Sequence, residues 1–140
     1  MTTPISNLQQ LIASMQPVLN EGAYVYACVP HGTDVSGWEV AATVREHEGL
    51  TVVVPQEVAQ RLGLEVLFCA AWITLHVHSD LQAVGLTAAF AAALGRANIS
   101  CNVVAGAFHD HIFVPWDARV AAMAALVALQ QAGCGMESAL

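Results

Sequence analysis

Four of the six histidines stand in two i, i+2 pairs, His76/His78 and His109/His111, and the second pair brackets Asp110. On a strand, residues two apart face the same side. Each pair could therefore chelate a divalent ion such as zinc through imidazole nitrogen. The plainer reading is that His76 and His78 line the solvent side of a half-buried strand while His109 and His111 flank a turn. A second constellation lies between the pairs. The run "HSDLQAVGLTAAFAAALGR" (78–96) sets Ser79, Asp80 and then Gly85 at the start of an apolar helical pattern. The first N–H groups of a helix have no internal partners, and with the macrodipole they make an anion site.

A glycine at that point has no Cβ, so a ligand or a neighbouring backbone can come close. A carboxylate could rest on the N–H groups of Val84 to Thr87, and Asp110 could take an ammonium. Together they would hold a free amino acid. The candidate ligand residues are Ser79, Asp80, Val84, Gly85, Leu86, Thr87, Gly106, His109, Asp110 and His111, with the histidines closing the pocket. The competing reading gives Gly85 only a packing role and makes Asp110 an ordinary turn residue.

Catalytic chemistry finds less support. There is no GxSxG elbow, no P-loop and no GxGxxG, and no acid/base pair stands out. Cys28, Cys69, Cys101 and Cys134 show no CxxC spacing, and three lie in apolar strand-like runs. They read as buried thiols in a reducing compartment, not as disulfides or zinc ligands. The expectation is a non-enzyme without a cofactor.

The chain of 140 residues is 56% hydrophobic and 11% charged, with net charge -7, four Arg and no Lys. That composition builds a core and excludes a disordered chain. Nucleic acid and anionic membranes need clustered cations, so neither is an expected partner. The apolar runs "VAAMAALVAL" and "LTAAFAAALG" are too short to span a bilayer. "MTTPISNLQQ" lacks the cationic start and apolar core of a signal peptide, and the cytoplasm is the expected location.

These groups must be positioned by local elements. "ISNLQQLIASMQ" (5–16) places Ile5, Leu8, Leu11, Ile12 and Met15 on one helical face, with Ser6 as N-cap. "GAYVYACVP" (22–30) reads as a strand, and "WEVAATVREHEGLTVVVP" as a hairpin turning at Glu48-Gly49. Pro55 then starts a helix through about Leu62, and 64–79 is strand-rich. A helix over 82–96 carries Leu86, Phe90, Ala93, Leu94 and Ala97 on one face. "ISCNVVAGAF" (99–108) is a strand, the chain turns at His109-Asp110 into another, and Asp117 opens a helix ending near Gly133.

The two halves repeat. Val54-Pro55 before a helix recurs at Val114-Pro115, and a shift of about sixty residues sets Gly49, Leu50 and Thr51 against His109, Asp110 and His111. Each half lacks one terminal strand of a β-α-β-β-α-β unit, so the halves read as ferredoxin-like units sharing or exchanging strands. Only the second carries a carboxylate at the turn, so one principal ligand site is expected.

"SDLQAVGLTAAFAAALGRANISCNVVAG" resembles the opening of an ACT domain through Val84, Gly85, Leu86, Phe90, Leu94 and Asn98-Ile99. "NVVAGAFHDHIFVP" is similar to the aspartokinase-type branch through Asp110, His111, Ile112, Phe113 and Val114. Many ACT domains have Asp three positions before the glycine, where this chain has Gln82, so the resemblance does not carry a role to Asp80. It implies an α+β, tandem ferredoxin-like protein with antiparallel sheets and helices on one face, divided into an N-terminal ACT-like half (1–69) and a C-terminal ACT domain (70–140). It implies a regulatory small-molecule binder, with an amino acid as the expected partner. The alternatives are an interaction protein with the same fold and no ligand, or a histidine-based metal binder. The final helix is apolar all round over Val120 to Leu129, which predicts a homodimer.

Overall fold

The computed structural model describes residues 7–77 and 80–138. The elements run α1 (Leu8–Ser14), β1 (Gln16–Val29), β2 (Ala42–Arg45), β3 (Leu50–Pro55), α2 (Gln56–Leu62), β4 (Phe68–His76), α3 (Leu86–Arg96), β5 (Asn102–Ala105), β6 (Asp110–Pro115), a 3-10 turn (Trp116–Ala118) and α4 (Arg119–Ser138). They form two compact units. Residues 21–71 make one; residues 1–20 and 72–140 make the other. The chain passes between the units within β1 and again within β4, so each of these strands serves in both. The observed class is α+β with antiparallel strand pairs and helices, as the resemblance implies.

In the unit of residues 21–71, β3 pairs antiparallel with both β1 and β2. Val25, Ala27, Val29, Val52 and Val54 alternate along the strands toward Val58 and Ala59 of α2 and form a buried cluster. No helix forms between β1 and β2. Instead Val35, Trp38 and Val40 from the loop close the cluster. Gly63 ends α2 in the left-handed conformation, and the Leu64 N–H reaches back to the Ala59 carbonyl.

The other unit contains the first part of β1, then β4, β6 and β5 in that order across the sheet. Ile73, Leu75, Ile112 and Val114 bury the face shared with Phe90 and Leu94 of α3 and Ala122 and Leu126 of α4. Helix α1 lies along α4. A Cβ at Gly133 would fall 2.6 Å from Cγ2 of Ile12, and Gln130 donates from Nε2 to the Ala13 carbonyl at 2.8 Å. Asn7 caps α1 by accepting from the Gln10 N–H, while Ser6 and Ile5 lie outside the described residues.

The internal repeat appears residue by residue. Ala42↔Val53 through Arg45↔Leu50 becomes Asn102↔Phe113 through Ala105↔Asp110, sixty positions later. Both hairpins close with the same bond, Glu46 N–H to the Gly49 carbonyl and Gly106 N–H to the His109 carbonyl, each 2.9 Å. Pro55 and Pro115 end their strands with nearly equal dihedrals and hand over to helices.

Four elements differ in their bounds from the sequence expectation. β1 starts at Gln16, not near Gly22, because Asn20 anchors its polar start by donating to the Trp72 carbonyl and to Oγ1 of Thr74. α3 starts at Leu86, four residues late, because Asp80 organises a turn. Its Oδ1 accepts from the Gln82 N–H and its carbonyl from the Ala83 N–H. β5 is confined to 102–105, and α4 follows the 3-10 turn and runs past Gly133 to Ser138.

Candidate functional site

Gly85 stands at the N-cap of α3 with φ 109° and ψ −23°, a conformation that side chains avoid. A Cβ there would also lie 2.9 Å from Cδ2 of Leu8 on α1. The breaker is thus required by its own backbone and by a packed neighbour. It turns the chain so that α3 can begin, with the Ala89 N–H on the Gly85 carbonyl as the first helical bond. No side chain of the described residues caps this end, which leaves the leading N–H groups of α3 without a helical or capping partner among them.

Asp110 faces this helix end from the first position of β6. Its neighbours on the strand alternate: Asp110, Ile112 and Val114 are buried on the helix side, while His111 and Phe113 face the other way. Asp110 is only 8% exposed, and burial pushes its carboxyl above the usual carboxylate range, offset in part by His111. None of the described residues hydrogen-bonds its carboxyl. A cleft of about 80 Å³ lies here, lined by Asp80, Leu81, Ala83, Leu86, Thr87, Ala105 and Asp110.

Asp80, Leu86, Thr87 and Asp110 of the ten candidate residues therefore meet around one space. Val84 is 86% exposed and lies outside the lining. Gly85 is turned toward Leu8, and Ser79 lies outside the described residues. Gly106 sits in the β5–β6 turn, where a Cβ would come 3.1 Å from Nε2 of His111. His109 and His111 are not brought to the cleft. Leu81, Ala83 and Ala105 were not anticipated, although Ala105 follows from the repeat: its pairing with Asp110 copies Arg45↔Leu50.

The histidines gather on the opposite face of the same strands. Trp72 donates from Nε1 to Nδ1 of His111 at 3.0 Å, with Oγ1 of Thr74 3.2 Å from the same nitrogen. That nitrogen therefore carries a lone pair, which makes the ring neutral with its proton on Nε2. Burial pulls the His111 pKa below its ordinary value, helped by His109 and His76 and opposed by Asp110. The His76 and His109 rings lie 4.9 Å apart, and Nδ1 of His109 is 3.4 Å from the Val77 carbonyl. Among the described residues, no group of three or more His, Cys, Asp or Glu side chains could hold a metal ion. His78 lies outside them.

The unit of residues 21–71 has a wider groove of about 400 Å³ along Glu21, Tyr24, Glu39, Pro55 and Glu57. Its carboxylates are all exposed, and α2 at its edge has only seven residues. Size favours this groove. The buried carboxyl facing unused helix N–H groups favours the smaller cleft, and that chemical complementarity outweighs volume.

Two ACT domain models match the chain in tandem, over residues 3–71 and 70–128. The chain belongs to the ACT domain family. Its members are typically regulatory modules that bind small molecules, and the fold itself is a non-catalytic one. A solved structure from Vibrio cholerae, described as a protein of unknown function and possible transport protein, is 47% identical over 88% of this chain and 95% of that one, with TM-score 0.80. The regulatory subunit of aspartate kinase from Thermus thermophilus shares the fold at 10% identity, with TM-score 0.66 over 84% of this chain and 97% of that one. An Agobacterium tumefaciens protein does so at 15% identity, with TM-score 0.65 over 83% and 89%. No curated protein sequence matches the chain. Among the described residues, no helix is long and apolar enough to cross a membrane.

Proposed function

We propose that the protein is a non-catalytic regulatory module that binds one free amino acid in the cleft between the start of α3 and Asp110. The observation that carries this reading is Asp110 itself, a buried carboxyl without a hydrogen-bond partner among the described residues, lining the cleft at the N-terminus of α3. Leaving a partly desolvated carboxylate without a protein partner carries a cost. A ligand ammonium would remove that cost, while the ligand carboxylate would take the N–H groups of α3. The aspartate kinase regulatory subunits that share the fold support a role in regulation. The first half has no helix at the corresponding place, which supports a single principal site.

The division into halves 1–69 and 70–140 goes with this reading, as do a cytoplasmic location and a homodimer. The two family matches, which meet at residues 70–71, support this division along the sequence, whereas the compact units put residues 1–20 with 72–140. A thermal-shift screen with the twenty amino acids, confirmed by calorimetry, tests the function. A ligand at 100 times its Kd should stabilise by about 2.7 kcal/mol. If no amino acid shifts the transition, the module is an interaction protein with this fold and no ligand.

A further inference from the structure

We infer that the cleft selects small neutral amino acids, of the size of glycine, alanine or serine, and rejects acidic, long and aromatic ones; the inference rests on the amino-acid reading above. Two features of the lining carry it. The first is size. The cleft measures about 80 Å³. A closed apolar cavity of about 150 Å³ takes one benzene ring, so half that volume leaves room for an ammonium, a carboxylate and little else. Leu86 and Ala105 wall it, and Ala83 and Leu81 stand at its side. Two of these cannot retreat far: Leu86 is buried at the first turn of α3, and Ala105 is held by its pairing with Asp110, while Leu81 is 67% exposed at the side.

The second feature is charge. Asp80 and Asp110 both line the cleft, and among the described residues no Arg or His does. One carboxylate is matched by the ligand ammonium. The other has its Oδ1 on the Gln82 N–H and stands beside the first in the lining. An aspartate or glutamate ligand would add a side-chain carboxylate with no cation among the described residues to meet it, and like charges at this range repel. Among the described residues of the lining, Thr87 carries the one neutral polar side chain, which suits a hydroxymethyl or hydrogen side chain on the ligand.

Calorimetric titration of the intact protein at neutral pH with glycine, alanine, serine, aspartate, leucine, lysine and phenylalanine tests this. At least one of the first three should bind ten-fold or more tightly than each of the last four. Leucine, lysine or phenylalanine binding as well as the best small amino acid overturns the size argument; aspartate doing so overturns the charge argument. Either result leaves amino-acid binding itself standing, whereas silence from all twenty amino acids removes both readings. A second measurement isolates Asp80. Asp80→Asn keeps the oxygen that accepts from Gln82 and removes the charge, so the preference for alanine over aspartate should shrink several-fold. An unchanged preference overturns the role of Asp80.

Discussion

The indole Nε1–H of Trp72 on β4 donates to Nδ1 of His111 on β6 at 3.0 Å, and this bond fixes the protonation state of the imidazole. A proton on that nitrogen would set donor against donor. Burial already holds the His111 pKa below its ordinary 6.5, and His109 and His76 add to the shift. The unfolded chain thus binds more protons at this residue than the folded one in the window between the two values. The stabilisation stands in full above pH about 6.5 and is lost as pH falls through the folded value. The urea midpoint should therefore be lower at pH 5.5 than at pH 7.5, and His111→Phe should flatten that difference. Trp72→Phe should cost about 1 kcal/mol at pH 7.5, the usual worth of one hydrogen bond.

Asp110 carries the opposite sign. Its folded pKa is raised, so its ionised form destabilises the empty protein at neutral pH, and the penalty is relieved as pH falls toward 3.8. Asp110→Asn should leave the empty protein as stable or more stable, by on the order of 1 kcal/mol, because it removes a buried charge. The same change should weaken amino-acid binding at least ten-fold, as seen by calorimetry. Ligand affinity in the parent should also fall as pH drops through the raised value, since the ammonium needs the carboxylate. A variant that loses stability and keeps affinity would mean that Asp110 only supports the fold.

Gly85 offers a sharper mutational test than its place beside the cleft suggests. Gly85→Ala should destabilise by about 1–3 kcal/mol, from the positive φ alone, before any clash is counted. The added Cβ would also meet Leu8 at 2.9 Å. Leu8 is partly exposed at the end of a short helix and can move. In a double-mutant cycle, Leu8→Ala should therefore recover only the smaller part of the loss. Full recovery would show that the backbone conformation costs nothing and that crowding is the whole effect.

Much of this arrangement is legible in the sequence because the repeat is local. Val-Pro before a helix and the sixty-residue offset indicate both hairpins, and the alternation of Asp110, His111 and Ile112 follows from strand geometry, although the second turn closes before Asp110 and not at His109-Asp110. Less accessible was the direction of Gly85. Its φ depends on the turn built by Asp80, and its neighbour Leu8 lies 77 positions away in the chain. The histidines were read as flanking the ligand because they flank Asp110 in sequence. On a strand, adjacency means opposite faces, so they meet Trp72, Thr74 and His76 instead. The extension of β1 back to Gln16 was hidden for a similar reason: Asn20 reads as a loop residue until its partners on β4 are known.

The last expectation concerns assembly. α4 is apolar all round over Val120 to Leu129, and α1 covers one flank of the helix, where Gly133 receives Ile12. The outer flank is not covered: Val120 is 74% exposed, and Ala124, Val127 and Ala128 are exposed along the following turns. Beside them, Ala93, Ala97, Ala125, Ala128, Leu129 and Ala132, together with Arg96, line a groove of about 420 Å³ between α3 and α4. A contiguous apolar strip of this kind is an association surface more often than a solvated one, and small side chains let a second helix come close. We expect a dimer, with light scattering at micromolar concentration giving twice the 14.7 kDa of one chain. Ala124→Glu and Ala128→Glu should return the mass to that of one chain, since each sets a charge in the strip without touching the buried face of α4. A parent mass of 14.7 kDa would rule out the dimer. A dimer that survives both substitutions would move the interface to the free edge of β5, a short uncharged strand with unpaired backbone groups.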